Sequence, residues 1–335
     1  MQKVWRWFGV AVTGWVGVAC VVQEGEGDTA ELRQVVPPAE AVLLAGPESS
    51  AAPEGEASAQ RTLYAAGEPW AQGPWAKYYG LTRHVRDQIN AVTRHVLGGV
   101  WFIVHTPPTD VSAGRAVWGP YTDALEPVTY RLVVLKIGRA EYTYTLEGRP
   151  RGSTSEADYR VVLQGSGYGP SHPDRGKGFF EVDLDTARAL DPLKNTGSGT
   201  LRIEHDLPAN AWGARPALPR TVTATATPSD IDAYWTVTSS QTEAGGQLDM
   251  NARDDLDASK MTELEDIRIF SRWNESGAGR ADIVLSEGDI PEAIGQVTAV
   301  ECWGSDFLRS YYGDSVDFEP AEGDPSACAF EAASF

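Results

Sequence analysis

From residue 130 onward this chain is a series of short runs in which apolar and polar residues alternate, most of them closed by Gly, Pro, Asn or Asp. Few of the connections are long enough for the crossover that parallel strands require, which commits the runs to antiparallel pairing. Tyr142, Tyr144 and Leu146 face one way, with Thr143, Thr145 and Glu147 opposite. Phe180, Val182 and Leu184 alternate with Glu181, Asp183 and Asp185, and Leu201 and Ile203 with Arg202 and Glu204. Similar runs over residues 100–105, 130–137, 159–163, 221–227, 234–238, 247–252, 267–273, 280–285, 297–303 and 307–312 bring the expected strands to roughly ten to twelve. Such alternation describes a sheet with one wet face and one covered face.

The clearest helix precedes them. Leu81, Val85, Ile89, Val92 and Val96 form one apolar stripe, the signature of a helix that covers a sheet. Arg83, Arg86, Asp87, Asn90 and Arg94 fall mostly on the other side, which is expected to be solvated. Gly98-Gly99 mark its expected end, with a strand from Val100. One long helix and a large meandering sheet define an α+β class, the sheet curling to enclose its apolar face.

The N-terminus follows another logic. Lys3 and Arg6 precede an apolar run over residues 8–19, the layout of a secretory signal and too short for a permanent membrane span. Residues 21–70 are rich in Ala, Glu, Pro and Gly, with Arg33 and Arg61 as the bases. That composition predicts a disordered acidic tether over residues 20–70. As a flexible coil it would hold the folded part roughly 40 Å from a membrane surface. Val35-Val36 and residues 41–45 are apolar islands within it, suited to local docking. Residues 71–335 then form a single β-rich domain ending in an acidic tail.

The chain has 28 basic and 47 acidic side chains, a net charge of −19, and loss of the signal removes two of the bases. This surface repels phosphate backbones, so nucleic acid is not an expected partner. Membrane attachment would have to come from acyl chains, since anionic lipid heads also repel it. Of three cysteines, Cys20 closes the signal. Cys302 and Cys328 are then an even pair in an exported chain, which predicts a disulfide worth roughly 3–4 kcal/mol through loop closure. It would tie the acidic tail to the strand over residues 297–303. Neither cysteine has a partner at metal spacing.

Gly17-Val18-Ala19-Cys20 resembles the lipobox of bacterial lipoproteins, with Gly17 standing where Leu is usual. The resemblance implies diacylation at Cys20, and Val21 after it, in place of Asp, implies transfer to the outer membrane. The order of signal, helix and antiparallel strands resembles the LolA/LppX group of lipid-handling proteins, which implies an open half-barrel around an apolar cavity. Ser271-Arg272-Trp273-Asn274, the stretch from Gly277 to Asp282, and Glu301-Cys302-Trp303 resemble uncharacterised myxobacterial-type lipoproteins.

Catalytic signatures are missing: there is no Gly-x-Ser-x-Gly elbow, His-Glu-x-x-His or P-loop. Gly165-Ser166-Gly167-Tyr168-Gly169 is followed by Pro170 and His172-Pro173, which describe a turn and not a nucleotide loop. His84 and His95 are eleven apart on the helix, too far to share a metal; His105, His172 and His205 are dispersed. The acids between Asp249 and Asp257 suit calcium by composition, but Arg253 takes a ligand's place and a solvated loop before a short helix at residues 259–265 is expected. Asp183 and Asp185 share a strand face, the solvent side or an acid pair. Trp101, Trp235, Trp273 and Trp303 are expected in the core, whereas Trp118 and Trp212 fall in loops where a ring packs locally, stacks on a sugar or lines a pocket mouth. The expectation is a non-enzymatic envelope lipoprotein without metal or cofactor, binding a lipid or other hydrophobic ligand in a sheet cavity. The alternative is a structural, adhesion or envelope-interaction module without a pocket.

Overall fold

Fifteen strands, each hydrogen-bonded to the next in chain order, make one sheet among the described residues. The computed structural model describes residues 31–47, 75–122, 126–168, 175–208, 218–255 and 263–335. In order the strands are β1 (Asp110–Ser112), β2 (Arg115–Tyr121), β3 (Val128–Gly138), β4 (Glu141–Pro150), β5 (Arg160–Tyr168), β6 (Gly176–Asp183), β7 (Thr200–Leu207) and β8 (Arg220–Thr227). They continue with β9 (Tyr234–Thr242), β10 (Gly245–Asp254), β11 (Glu265–Asn274), β12 (Gly279–Glu287), β13 (Gln296–Trp303), β14 (Arg309–Asp314) and β15 (Glu322–Gly323). Every pairing is antiparallel. The first and last strands do not pair with each other, so the sheet is open. Short connections explain this order, because a strand that turns back after a few residues has its predecessor as the nearest edge.

Register carries the alternation across the sheet. Val134, Tyr144, Gly165, Phe180, Ile203, Ala224, Val237, Met250, Ile269, Ile283 and Ala299 lie opposite one another from β3 to β13. Two residues along, Leu132, Leu146, Leu163, Val182, Leu201, Ala226, Trp235, Ala252, Ile267 and Leu285 make a second apolar row. Both rows belong to one apolar core. Glycines let large rings lie flat across a neighbouring strand: a Cβ on Gly165 would sit 2.3 Å from the Tyr144 ring, and one on Gly279 would sit 2.3 Å from the Trp303 ring.

The helix α1 (Lys77–Val104) is longer than its glycine pair predicts, and the strand expected at residues 100–105 is its last turn. Leu97, Val100, Ile103 and Val104 continue the buried stripe, and the added burial outweighs the low helix propensity of two glycines. Trp101 therefore stands on the helix with 49% of its surface exposed, while Trp118 lies in β2, not in a loop, and is fully buried. Its indole donates to the Thr106 carbonyl at 2.9 Å. Trp235, Trp273 and Trp303 are in the core as expected. Trp212 and residues 256–262 lie outside the described residues, and Glu265, where the helix expected over 259–265 would end, is instead the first residue of β11.

The strand containing Phe180 stops at Asp183, and α2 (Leu184–Leu190) begins there. Asp183 caps it, accepting from the Thr186 amide at 2.8 Å and its hydroxyl at 2.7 Å. Asp185 accepts from Gly199 N at 3.0 Å and pairs with Arg188 at 2.6 Å. The two acids thus hold a turn and do not form an acid pair.

Candidate binding face and its built-in cover

A third row on the covered side mixes polar and small residues. Tyr142, Gly167, Gly178, His205, Val222, Ser239, Leu248, Ser271, Ala281, Glu301 and Tyr312 follow in register from β4 to β14. Polar side chains inside a core must find partners, and here the N-terminal part of the chain supplies most of them.

Residues 31–47, within the stretch whose composition predicts a tether, form a strap laid along this row. Leu32, Val35, Val36, Ala41, Val42 and Leu44 are buried in the same core as the sheet. The disordered tether expected over 20–70 therefore does not describe these residues, and the islands at Val35-Val36 and 41–45 are where they dock. Pro38 precedes a short 3-10 turn, Ala39–Val42, which places Ala41 and Val42 inward.

At one end Glu31 accepts from Lys136 at 2.7 Å and from the Tyr142 hydroxyl. The Val35 carbonyl lies over Gly167, 3.2 Å from where a Cβ would be. Arg220 donates to the Ala41 carbonyl at 3.0 Å, and the Ala45 amide donates to Ser239 Oγ at 3.0 Å.

The strap also covers the helix face expected to be solvated. Asn90 accepts from Leu44 N at 2.8 Å and donates to Leu44 O at 3.0 Å, mimicking a strand partner. Arg94 reaches Glu40 at 2.8 Å, and Gly46 has no room for a Cβ because the Arg86 side chain fills it. Arg86 and Asn90 are buried in consequence.

The rest of the row receives α1. Thr82 Oγ1 and Ser271 Oγ are 3.2 Å apart. Ala76, at the N-cap, offers no side-chain bond. The cap comes from β13 instead: Glu301 accepts from Lys77 N at 2.6 Å, Tyr78 N at 2.7 Å and Tyr79 N at 3.1 Å. Burial pushes this carboxyl up to about 7, against the pull of the three amides and the Arg309 charge. Tyr79 stacks on Phe307 at 4.6 Å and leans on Trp303 at 5.2 Å, closing the cap from water.

His205 is the exception in the row: its Nδ1 is buried without a hydrogen-bond partner, and burial drives its pKa down to about 4.

The other candidates do not converge. His84 and His95 lie on α1, and His105 Nδ1 contacts the Trp101 carbonyl at 2.7 Å; His172 lies outside the described residues. Among the described residues no three His, Cys, Asp or Glu side chains are placed to hold a metal. The acidic run begins inside β10, where Asp249 pairs with Arg268 at 2.8 Å and Asp254 accepts from the Trp235 indole at 3.1 Å. Gly165 and Gly167 are strand positions of β5. An open polar recess lies at Ala244, Asn274, Glu275 and Ser276.

On the outer face, Cys302 and Cys328 are bonded, with alpha carbons 5.3 Å apart. The tail beyond them crosses β11 and β12. Arg272 donates to the Glu331 carbonyl at 2.6 Å, Arg280 to the Phe330 carbonyl at 3.4 Å, and the Ala333 amide to Asp282 at 3.2 Å. Asp282 in turn bridges Arg272 at 2.7 Å and Arg280 at 2.6 Å. Cys20 lies outside the described residues.

Sequence reasoning placed no role on Ser239, Ser271 or Glu301. The signal was present as polar residues at the inward parity of apolar strands, with Ser271 between Ile269 and Trp273 and Glu301 between Ala299 and Trp303. No protein-family model, curated protein or solved structure matches this chain.

Proposed function

We propose that this is a lipid-anchored protein of the bacterial envelope whose sheet, curled as an open half-barrel around α1, takes up a hydrophobic ligand on its covered face. The observation that carries this reading is the separateness of the cover. Two apolar rows span about ten strands, yet part of the cover beside them in the same core is a short segment tied down by a handful of side-chain contacts. A ligand with an acyl or ring skeleton would compete with Leu32, Val35, Val36, Val42 and Leu44 for the same surface. The signal layout and the Cys20 lipobox support the anchor, and Val21 supports the outer membrane.

A second reading is favoured by the completeness of that burial: with the strap side chains almost wholly inside, the domain serves as an interaction or scaffold module without a pocket. Native mass spectrometry of the purified protein, followed by organic extraction, separates the two. The first reading expects a co-purifying hydrophobic molecule, or its uptake by a strap-loosened variant such as Val36→Asp; an empty protein in both cases leaves the second. For the anchor, Cys20→Ala should move the protein from salt-washed membranes to the soluble fraction, and retention in the membranes would refute acylation.

A further inference from the structure

We infer that the corner made by the β3–β4 turn and the facing ends of β5 and β6 is a lipid-surface contact, oriented toward the membrane by the strap. This rests on the proposed anchor at Cys20. Glu141 pairs with both Gly138 and Tyr168, and Tyr168 pairs with Lys177, so these ends share one corner. Ile137 sits at the register shift between Lys136 and Gly138, which turns it out of the ladder, and 56% of it is exposed. Tyr168 is 63% exposed. Arg139 and Arg175 flank them in solvent, and the Lys177 side chain is 67% exposed beside Asp206. Glu141, exposed at the same corner, and Asp206 offset part of this charge. Aliphatic and tyrosyl groups beside the remaining excess of bases suit the boundary between acyl chains and anionic headgroups.

At the opposite end acids outnumber bases, although Arg149, Arg151 and Arg160 stand there around the turn from β4 to β5. The loops after β8, β10 and β12 carry Asp230, Asp232, Asp255, Asp289 and Glu292, and Glu287 ends β12. An anionic surface repels that end more strongly than the corner, so once acyl chains hold the protein at the membrane the charge distribution favours this orientation.

The strap adds a geometric reason. Glu31 is bonded to Lys136 and Tyr142 beside this corner, and it stands eleven residues after Cys20. Eleven residues span at most about 40 Å. A free tether of fifty residues would let any face approach the lipid; a strap docked from residue 31 brings this corner nearest.

The test uses the full-length protein purified from its own export pathway, with a single environment-sensitive fluorophore at Ile137→Cys, Arg139→Cys or, as the far-end control, Leu193→Cys. Leu193 is 92% exposed and follows α2. In phosphatidylethanolamine vesicles with roughly a third phosphatidylglycerol, brominated lipid should quench the first two probes about twofold and leave the third unchanged. Equal quenching at all three, or stronger quenching at residue 193, would overturn the orientation. Adding Arg139→Glu and Arg175→Glu to the Ile137→Cys variant should lower quenching without changing the far-ultraviolet spectrum, and no change would also count against it. Intact-mass measurement reports the acyl group separately. An acylated protein without corner quenching sinks the contact and leaves the anchor. If no acyl mass is found, the anchor falls, and the same probes read on protein mixed with vesicles decide the corner alone.

Discussion

Two titratable side chains facing the covered side in one row of the sheet pull stability in opposite directions with pH. Glu301 has a folded pKa of about 7 against an ordinary 4.5, because burial penalises its charge. A raised carboxyl contributes stability that is present below about 4.5 and lost as pH climbs toward 7. Glu301→Gln should therefore flatten the decline of the urea midpoint between pH 4.5 and 7; an unchanged slope would assign it elsewhere. Glu301→Ala strands three amides at the start of α1 and should cost on the order of 2–4 kcal/mol. His205 has a folded pKa of about 4 against an ordinary 6.5, again from burial. Its contribution is present above 6.5 and lost as pH falls through about 4. His205→Gln should shrink the loss of stability on the acid side, read by the same midpoints.

At the scale of elements, glycines of one type serve opposite ends. Gly98 and Gly99 lie within α1 with nothing within 4 Å of an added Cβ. Gly98→Ala should raise stability by about 0.5–1 kcal/mol by favouring the helix. Gly165→Ala would drive a methyl into the Tyr144 ring, at 2.3 Å, and should lower stability by about 1–3 kcal/mol. Thermal melts of the two variants should move in opposite directions. The strap is an element without regular structure over most of its length, and its docking can be lost while the sheet stays folded. Leu44→Ala and Val36→Asp should raise amide exchange across residues 31–47 and at Asn90 far more than in β9–β12. A uniform increase over all strands would make the strap an inseparable part of the core.

Across the whole molecule the two chain ends cover opposite faces, the strap inside and the tail outside. The tail is held by the disulfide, by Arg272, Arg280 and Asp282, and by the Phe330 and Phe335 rings beside Arg272 and Arg268. Replacing both Cys302 and Cys328 by Ala should cost about 3–4 kcal/mol through the freed loop. Amide exchange at residues 329–335 should rise with it, while β3–β8 stay protected. Protection of the tail without the bond would assign its order to these non-covalent contacts.

By itself the sequence determined the antiparallel sheet and its apolar alternation, because a two-residue period and short connections hold wherever the strand sits. It also determined the cysteine pairing, because two cysteines remain once Cys20 closes the signal. It also marked the apolar stripe of α1, but not where that helix ends. Burial of Val100, Ile103 and Val104 decided that, and burial appears only when the sheet is assembled. The strap was legible only as two apolar islands in an acidic, glycine-rich stretch. Ala45 finds Ser239 across 194 positions and Leu44 finds Asn90 across 46. Local composition records what a segment can do alone; the polar row that orders this one is built from eleven strands, so only the tertiary structure holds that information.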